Sequence, residues 1–131
     1  MTNASNNSTA IAPWLSVGNS TKAIEFYAAA FGAVETYRLE DPDGNAVVKL
    51  SINTAEFWIS DSSSEDITLE TLGGGAIRMI LTVENPDAVF AKAVRAGATE
   101  VFPVSEEYGW RVGRIVDPFG LHWEIGRQVE V

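Results

Sequence analysis

Residues 11–17, IAPWLSV, set Leu15 and Val17 on one side of a two-residue period, the mark of a strand with one buried face. Asn19 and Ser20 follow with side-chain oxygens that cap helices, KAIEFYAAAF predicts the helix itself, and Gly32 ends it. The same succession returns later in the chain. IRMILTV over 77–83 predicts a strand, Asn85 a cap, Pro86 the first helical position, DAVFAKAVRA a helix and Gly97 its stop. Three strand-like runs trail each helix: VETYRLE, NAVVKLSI and AEFWISD in the first half, TEVFPV, WRVGRIV and LHWEIGR in the second. DPDG at 41–44 and DPFG at 117–120 carry turn chemistry between strands.

Spacing turns this likeness into a register. Val17 and Val83, Asn19 and Asn85, and Ile59 and Ile125 are each 66 residues apart, whereas Gly32 and Gly97 are 65 apart. One residue slipped between the helix and the second strand accounts for the difference. A fixed internal period marks a repeated supersecondary unit, so the chain is predicted to be an α+β domain of two tandem β-α-β-β-β modules. Module one is placed at 10–62 and module two at 76–128, inside one domain over 10–131. The polar, Gly-rich stretch 63–75 connects them and is long enough for the modules to pack together in one chain or to exchange between two. Residues 1–9 are expected to be a flexible polar N-terminus.

With 131 residues, 46% of them apolar, the chain carries enough hydrophobic material for one core. It has no run of about twenty apolar residues and starts with neither a basic nor an apolar segment, so no membrane span and no secretory leader are expected. Cysteine is absent, which excludes disulfides and thiolate metal sites and makes the cytoplasm the expected compartment. A formal charge of -9 repels phosphate backbones and anionic membranes, arguing against nucleic acid and membrane as partners. The same charge favours cationic ligands, although it serves equally well to keep a protein soluble.

The strings VGNSTKAIEFYAAAFGA, VENPDAVFAKAVRAGA and GRIVDPFGLHWEI together resemble the vicinal oxygen chelate superfamily, the group of glyoxalase I, extradiol dioxygenases and bleomycin-resistance proteins. The likeness extends over residues 10–128. A first helix ending in FG, a second ending in AGA and a late DPFG-x-x-W are most similar to the PhnB-like branch. That branch commonly has a histidine directly after DPFG, whereas here Leu121 stands there and His122 follows. On a strand, that shift of one changes the face. The resemblance implies two modules forming curved sheets around a cavity, usually in a homodimer.

It also implies a metal held by one ligand from the first and one from the last strand of each module. The repeat carries those positions onto Ala12 and Arg78, each five residues before a strand-ending valine, and onto Trp58 and Glu124, each directly before an isoleucine. Of the four, only Glu124 has a side chain able to bind a metal. An alanine has no donor atom, an indole nitrogen only donates a hydrogen bond, and a guanidinium is a permanent cation. Divalent ions usually require three or more protein ligands, so no metal and no cofactor are expected.

Alternation then sorts the faces. Leu121, Trp123 and Ile125 fall beneath the helices, and His122 and Glu124 fall on the opposite face. That inner face takes Ala12, Trp14 and Ser16 from the first strand, Glu56, Trp58 and Ser60 from the fourth, and Arg78, Ile80 and Thr82 from the fifth. The candidate ligand-binding residues are Trp14, Trp58, Arg78, Trp110, Arg111, His122 and Glu124, with Tyr108, Trp110 and Arg111 as a rim. Trp14 and Trp58 read either as pocket walls or as core aromatics, and Arg78 pairs either with Glu124 or with a bound anion. Three functions remain open. One is a metal-free, dimeric small-molecule binding protein similar to bleomycin-resistance proteins, sequestering an aromatic or cationic ligand or drug. Another is an enzyme of the same fold, of lyase, isomerase or dioxygenase type, acting on a small metabolite through Glu124, His122 or Arg78. The last is a dimer with a vestigial pocket.

Overall fold

The computed structural model of the chain describes residues 10–62, 68, 71 and 77–129. The expected flexible N-terminus, and most of the connection between modules, lie outside those residues. Among the described residues ten elements follow in order: β1 (Trp14–Val17), α1 (Ser20–Phe31), β2 (Val34–Glu40), β3 (Ala46–Ile52), β4 (Ala55–Asp61), β5 (Arg78–Thr82), α2 (Pro86–Ala96), β6 (Thr99–Glu107), β7 (Trp110–Val116) and β8 (His122–Gln128). They form two β-α-β-β-β modules of α+β type. Each module makes its own four-stranded sheet, in the order β1-β4-β3-β2 and β5-β8-β7-β6, and the sheets do not close on one another. The first strand runs parallel to the last in each sheet, which the intervening helix makes possible.

The caps fall where their chemistry puts them. Asn19 Oδ1 accepts from the Lys22 N–H at 3.1 Å, and Asn85 Oδ1 accepts from the Ala88 N–H at 3.2 Å. Gly32 terminates α1 in the left-handed region at φ 70°, which a glycine enters without a Cβ clash. The slipped residue lies elsewhere than expected. Helix α1 has 12 residues and α2 has 11, so the loss falls inside the second helix. It is regained at the last turn, where Val116 pairs with His122 across the five residues Asp117–Leu121, against Ser51 with Glu56 across four in module one.

Both sheets turn one face to the helices, and α1 and α2 lie against each other. One core runs through both modules: Leu15, Val17, Val48, Leu50, Phe57 and Ile59 from the first sheet, Leu81, Ile115, Trp123 and Ile125 from the second, and Phe26, Tyr27, Phe90 and Ala93 from the helices. Trp123 joins the halves, its ring centroid 4.6 Å from Phe31, 5.6 Å from Tyr27 and 5.9 Å from Phe57. The two modules therefore pack together through their helix layer within one chain. On the other face of the sheets Trp14, Leu39, Ile80 and Phe102 stay exposed.

Gly126 shows how tightly the second sheet is drawn. A Cβ there would lie 2.6 Å from the Arg111 carbonyl oxygen and 2.8 Å from Val112 Cβ. Backbone cannot step aside as a flexible side chain can, so Gly126→Ala is expected to cost about 2 kcal/mol through overpacking. The check is the chemical-denaturation midpoint at unchanged slope. A variant that unfolds with the wild type would show that β7 and β8 are not so closely apposed.

Candidate functional site

Register assembles the site on the uncovered faces. In the first sheet Trp14 pairs with Trp58, Trp58 with Lys49, and Lys49 with Tyr37, so one row crosses all four strands. The indoles of Trp14 and Trp58 stack at 5.8 Å with an interplanar angle of 17°, and the Tyr37 ring meets Trp58 edge-on at 5.8 Å. Trp14 donates its indole N–H to Ser60 Oγ at 2.9 Å, which fixes the ring while leaving it 53% exposed. Lys49 Nζ lies 5.1 Å over Trp58 and 3.7 Å from Glu56, so the cation position on that indole is already filled. A groove of about 640 Å³ opens beside Trp14, lined by Ser16, Leu39, Asp41, Val47 and Ser60 among others.

The equivalent row in the second sheet is Ile80, Glu124, Arg114 and Phe102. The repeat thus sets a charged wall where module one has an aromatic one. Arg78 Nε lies 3.3 Å from Glu124 Oε2, both partly exposed, so the expected pair forms. Arg114 donates its Nε–H to His122 Nδ1 at 3.1 Å. The accepting nitrogen carries no proton in that bond, so the ring proton sits on Nε2. Two smaller grooves run along this wall, one of about 450 Å³ against Arg78, Phe102, Arg114 and Glu124, the other of about 280 Å³ against Ile80, Trp110, Val112 and Glu124.

Six of the seven residues singled out in the sequence come to these faces: Trp14 and Trp58 on one, Arg78, Trp110, His122 and Glu124 on the other. Arg111 does not. Trp110 and Val112 face the groove, so alternation turns Arg111 to the helix side. There it grips Asp87 at the start of α2 with two bonds of 2.6 and 2.7 Å, and Glu106 at 3.4 Å. The Arg111 bond holds the Asp87 carboxyl below the usual aspartate range. Tyr108 stands at the tip of the β6–β7 hairpin, 98% exposed at φ 54°.

The reading from sequence missed Lys49, Tyr37, Phe102 and Arg114. Arg114 was legible, since WRVGRIV alternates and puts it two places from Val112, on the face of Trp110. Tyr37 and Phe102 were not, because a register irregularity interrupts β2–β3 after Glu35 and β6–β7 on both sides of Phe102. The metal positions carried over from the repeat do not fit a metal. Arg78 and Glu124 engage each other, Trp58 offers an indole, and Ala12 lies in exposed chain before β1. Among the described residues no three His, Asp or Glu side chains come together to hold an ion.

Residues 14–125 match the family model described as a glyoxalase-like domain. The chain belongs to the glyoxalase-like family. This places it in the vicinal oxygen chelate superfamily. The glyoxalase-like chain is 38% identical to the uncharacterized protein Rv0887c of Mycobacterium tuberculosis, over 98% of its own length and 79% of that protein's. It is also similar to the uncharacterized protein At5g48480 of Arabidopsis thaliana, at 33% identity over 77% of this chain and 67% of that one. The X-ray structure of the Arabidopsis gene product superposes with a TM-score of 0.71 at 28% identity, covering 92% of this chain and 98% of that one. TnmS3, an antibiotic binding protein from Streptomyces sp. CB03234, shares the fold with a TM-score of 0.69 at 15% identity, over 93% and 98% of the two chains.

Proposed function

We propose that this glyoxalase-like chain binds a flat aromatic small molecule without a metal, as a homodimer in which a second copy covers the open sheet faces. The stacked indoles of Trp14, which is half-exposed, and of Trp58, which is partly buried, carry the reading. Two parallel rings held by register, on a face the described chain leaves bare, are a platform for a third ring. Dimerisation is supported by Leu39 at 58%, Ile80 at 64% and Phe102 at 58% exposure on the same faces, a large apolar area for a monomer to leave in water. That TnmS3 binds an antibiotic makes an aromatic drug a sensible first ligand to test. With Lys49 already over Trp58, the ring rather than a positive charge is the feature recognised. Among the described residues no helix is long and apolar enough to cross a membrane. We place the binding activity in the cytoplasm, on the absence of cysteine.

The enzymatic alternative draws less support. Arg78 engages Glu124, and Arg114 occupies His122 Nδ1, so both candidate proton carriers are tied to guanidinium groups. Titrating flat polycyclic antibiotics and bleomycin against intrinsic tryptophan fluorescence tests the binding reading. Saturable quenching is expected, and Trp58→Ala should weaken it at least tenfold, about 1.4 kcal/mol. Equal affinity in the variant, or no saturable quenching by any compound, would count against the proposal. Sedimentation of the free protein as a monomer at working concentration would remove its dimeric part.

A further inference from the structure

The charged wall of module two has a feature that the indole platform does not explain. Two of the three cations on the open faces form an ion pair, Lys49 with Glu56 and Arg78 with Glu124. Arg114 does not. Among the described residues no Asp or Glu oxygen lies within ion-pairing distance of it, and its Nε–H bond to His122 at 3.1 Å is its one side-chain partner. That bond holds the guanidinium by its inner edge and leaves the four N–H groups of its two terminal nitrogens without a protein acceptor among the described residues. The side chain is half-buried in the sheet, where a charge loses hydration that no counter-charge replaces. A rigid fork with two parallel donors and no partner matches the two oxygens of a carboxylate.

We infer that Arg114, with Arg78 beside the same groove, forms a binding site for a monocarboxylate with an apolar body. The groove of about 450 Å³ sets the chemistry: the two guanidinium groups, the Ser105 hydroxyl, the exposed Phe102 ring, and the carboxylates Glu107 and Glu124. Phe102 receives the apolar body and Ser105 offers a further donor. Arg78 is neutralised by Glu124, so Arg114 offers the one positive charge for the ligand, and the carboxylates Glu107 and Glu124 discriminate against a dianion such as phosphate. The overall charge of -9 works against any anion at long range, so binding weakens in low salt, where that field is unscreened. This site stands on module two alone, whether or not the indoles of module one hold a ring.

The test follows the arginine Nε–Hε resonances of the 15N-labelled full chain during titration with sodium benzoate, benzamide and sodium acetate, at ionic strength matched with sodium chloride. The Arg114 resonance, identified by its loss in Arg114→Gln, is expected to shift saturably with benzoate. Benzoate should bind at least tenfold more tightly than benzamide, and in Arg114→Gln the two should bind alike. Arg114→Lys, which keeps the charge but loses the fork, should fall between and covers the case in which the glutamine variant does not fold. Benzamide binding the wild type as well as benzoate does, or benzoate binding both variants as it binds the wild type, would overturn the carboxylate site. Acetate matching benzoate would overturn the apolar part alone. None of these outcomes bears on quenching at Trp58, so the two proposals fail separately.

Discussion

Asp117→Ala is expected to destabilise the protein by about 4 kcal/mol, the scale on which losing a buried polar network acts. Asp117 begins the DPFG turn and is 4% exposed. Its Oδ1 accepts from the backbone N–H groups of Phe119 at 2.9 Å and Leu121 at 3.0 Å, which shapes the turn. Its Oδ2 accepts from Tyr27 Oη at 2.6 Å and Trp123 Nε1 at 2.9 Å, which ties module two to the helix of module one. Alanine removes the acceptor shared by all four donors. Urea denaturation checks the size, and a loss below about 1 kcal/mol would show that water replaces the carboxylate.

The same residue predicts a pH dependence. Burial pushes the Asp117 carboxyl above the ordinary aspartate value of 3.8, with the four hydrogen bonds pulling partly back. The folded state therefore holds the proton more tightly than the unfolded chain. Its contribution is fully present below the unfolded value and is lost as pH rises through the folded one. Asp117→Asn keeps the shape without the titration, so the stability difference between wild type and variant should shrink as pH rises from about 3.8 into the raised range and then level off. Glu35 and Asp87, held low by Arg38 and Arg111, act with the opposite sign, and the difference measurement cancels them.

Trp123→Ala is expected to cost about 3–5 kcal/mol, the range for emptying a large aromatic site in a core. The ring is 2% exposed and touches Tyr27, Phe31 and Phe57 of module one from a strand of module two. Trp123→Phe keeps most of the packing and drops the indole N–H, so it should cost far less than alanine and should couple strongly to Asp117→Ala. A double-mutant cycle is the measurement, and costs that simply add would mean the bond between the two side chains carries no stability.

These residues also show what could be read in advance. Trp123 and Ile125 alternate with His122 and Glu124, so the assignment of faces on β8 follows from a period of two alone, and the buried and half-exposed classes agree with it. Arg78 and Glu124 sit at positions the 66-residue repeat makes equivalent to Ala12 and Trp58, and they meet at 3.3 Å. Asp117 reads in sequence only as a turn residue. Its bond to Tyr27 spans 90 residues and depends on how the helices dock, which no local pattern encodes. The face of Arg111 is legible from the same period of two, since it alternates with Trp110 and Val112, whereas its partner Asp87 depends on the placing of α2.

By itself the sequence determined the repeated unit, its caps and stops, the faces of the strands with a clean two-residue period, and the chemical misfit of the metal positions. Each of these follows from local backbone geometry or from the donor atoms of a single side chain. The tertiary structure decided that the modules pack through their helices within one chain, that the open faces carry an aromatic row on one sheet and a charged row on the other, and that Arg114 faces a groove with no carboxylate within ion-pairing distance among the described residues. Cross-strand register and helix docking fix those features, and both arise from contacts between residues far apart in the chain.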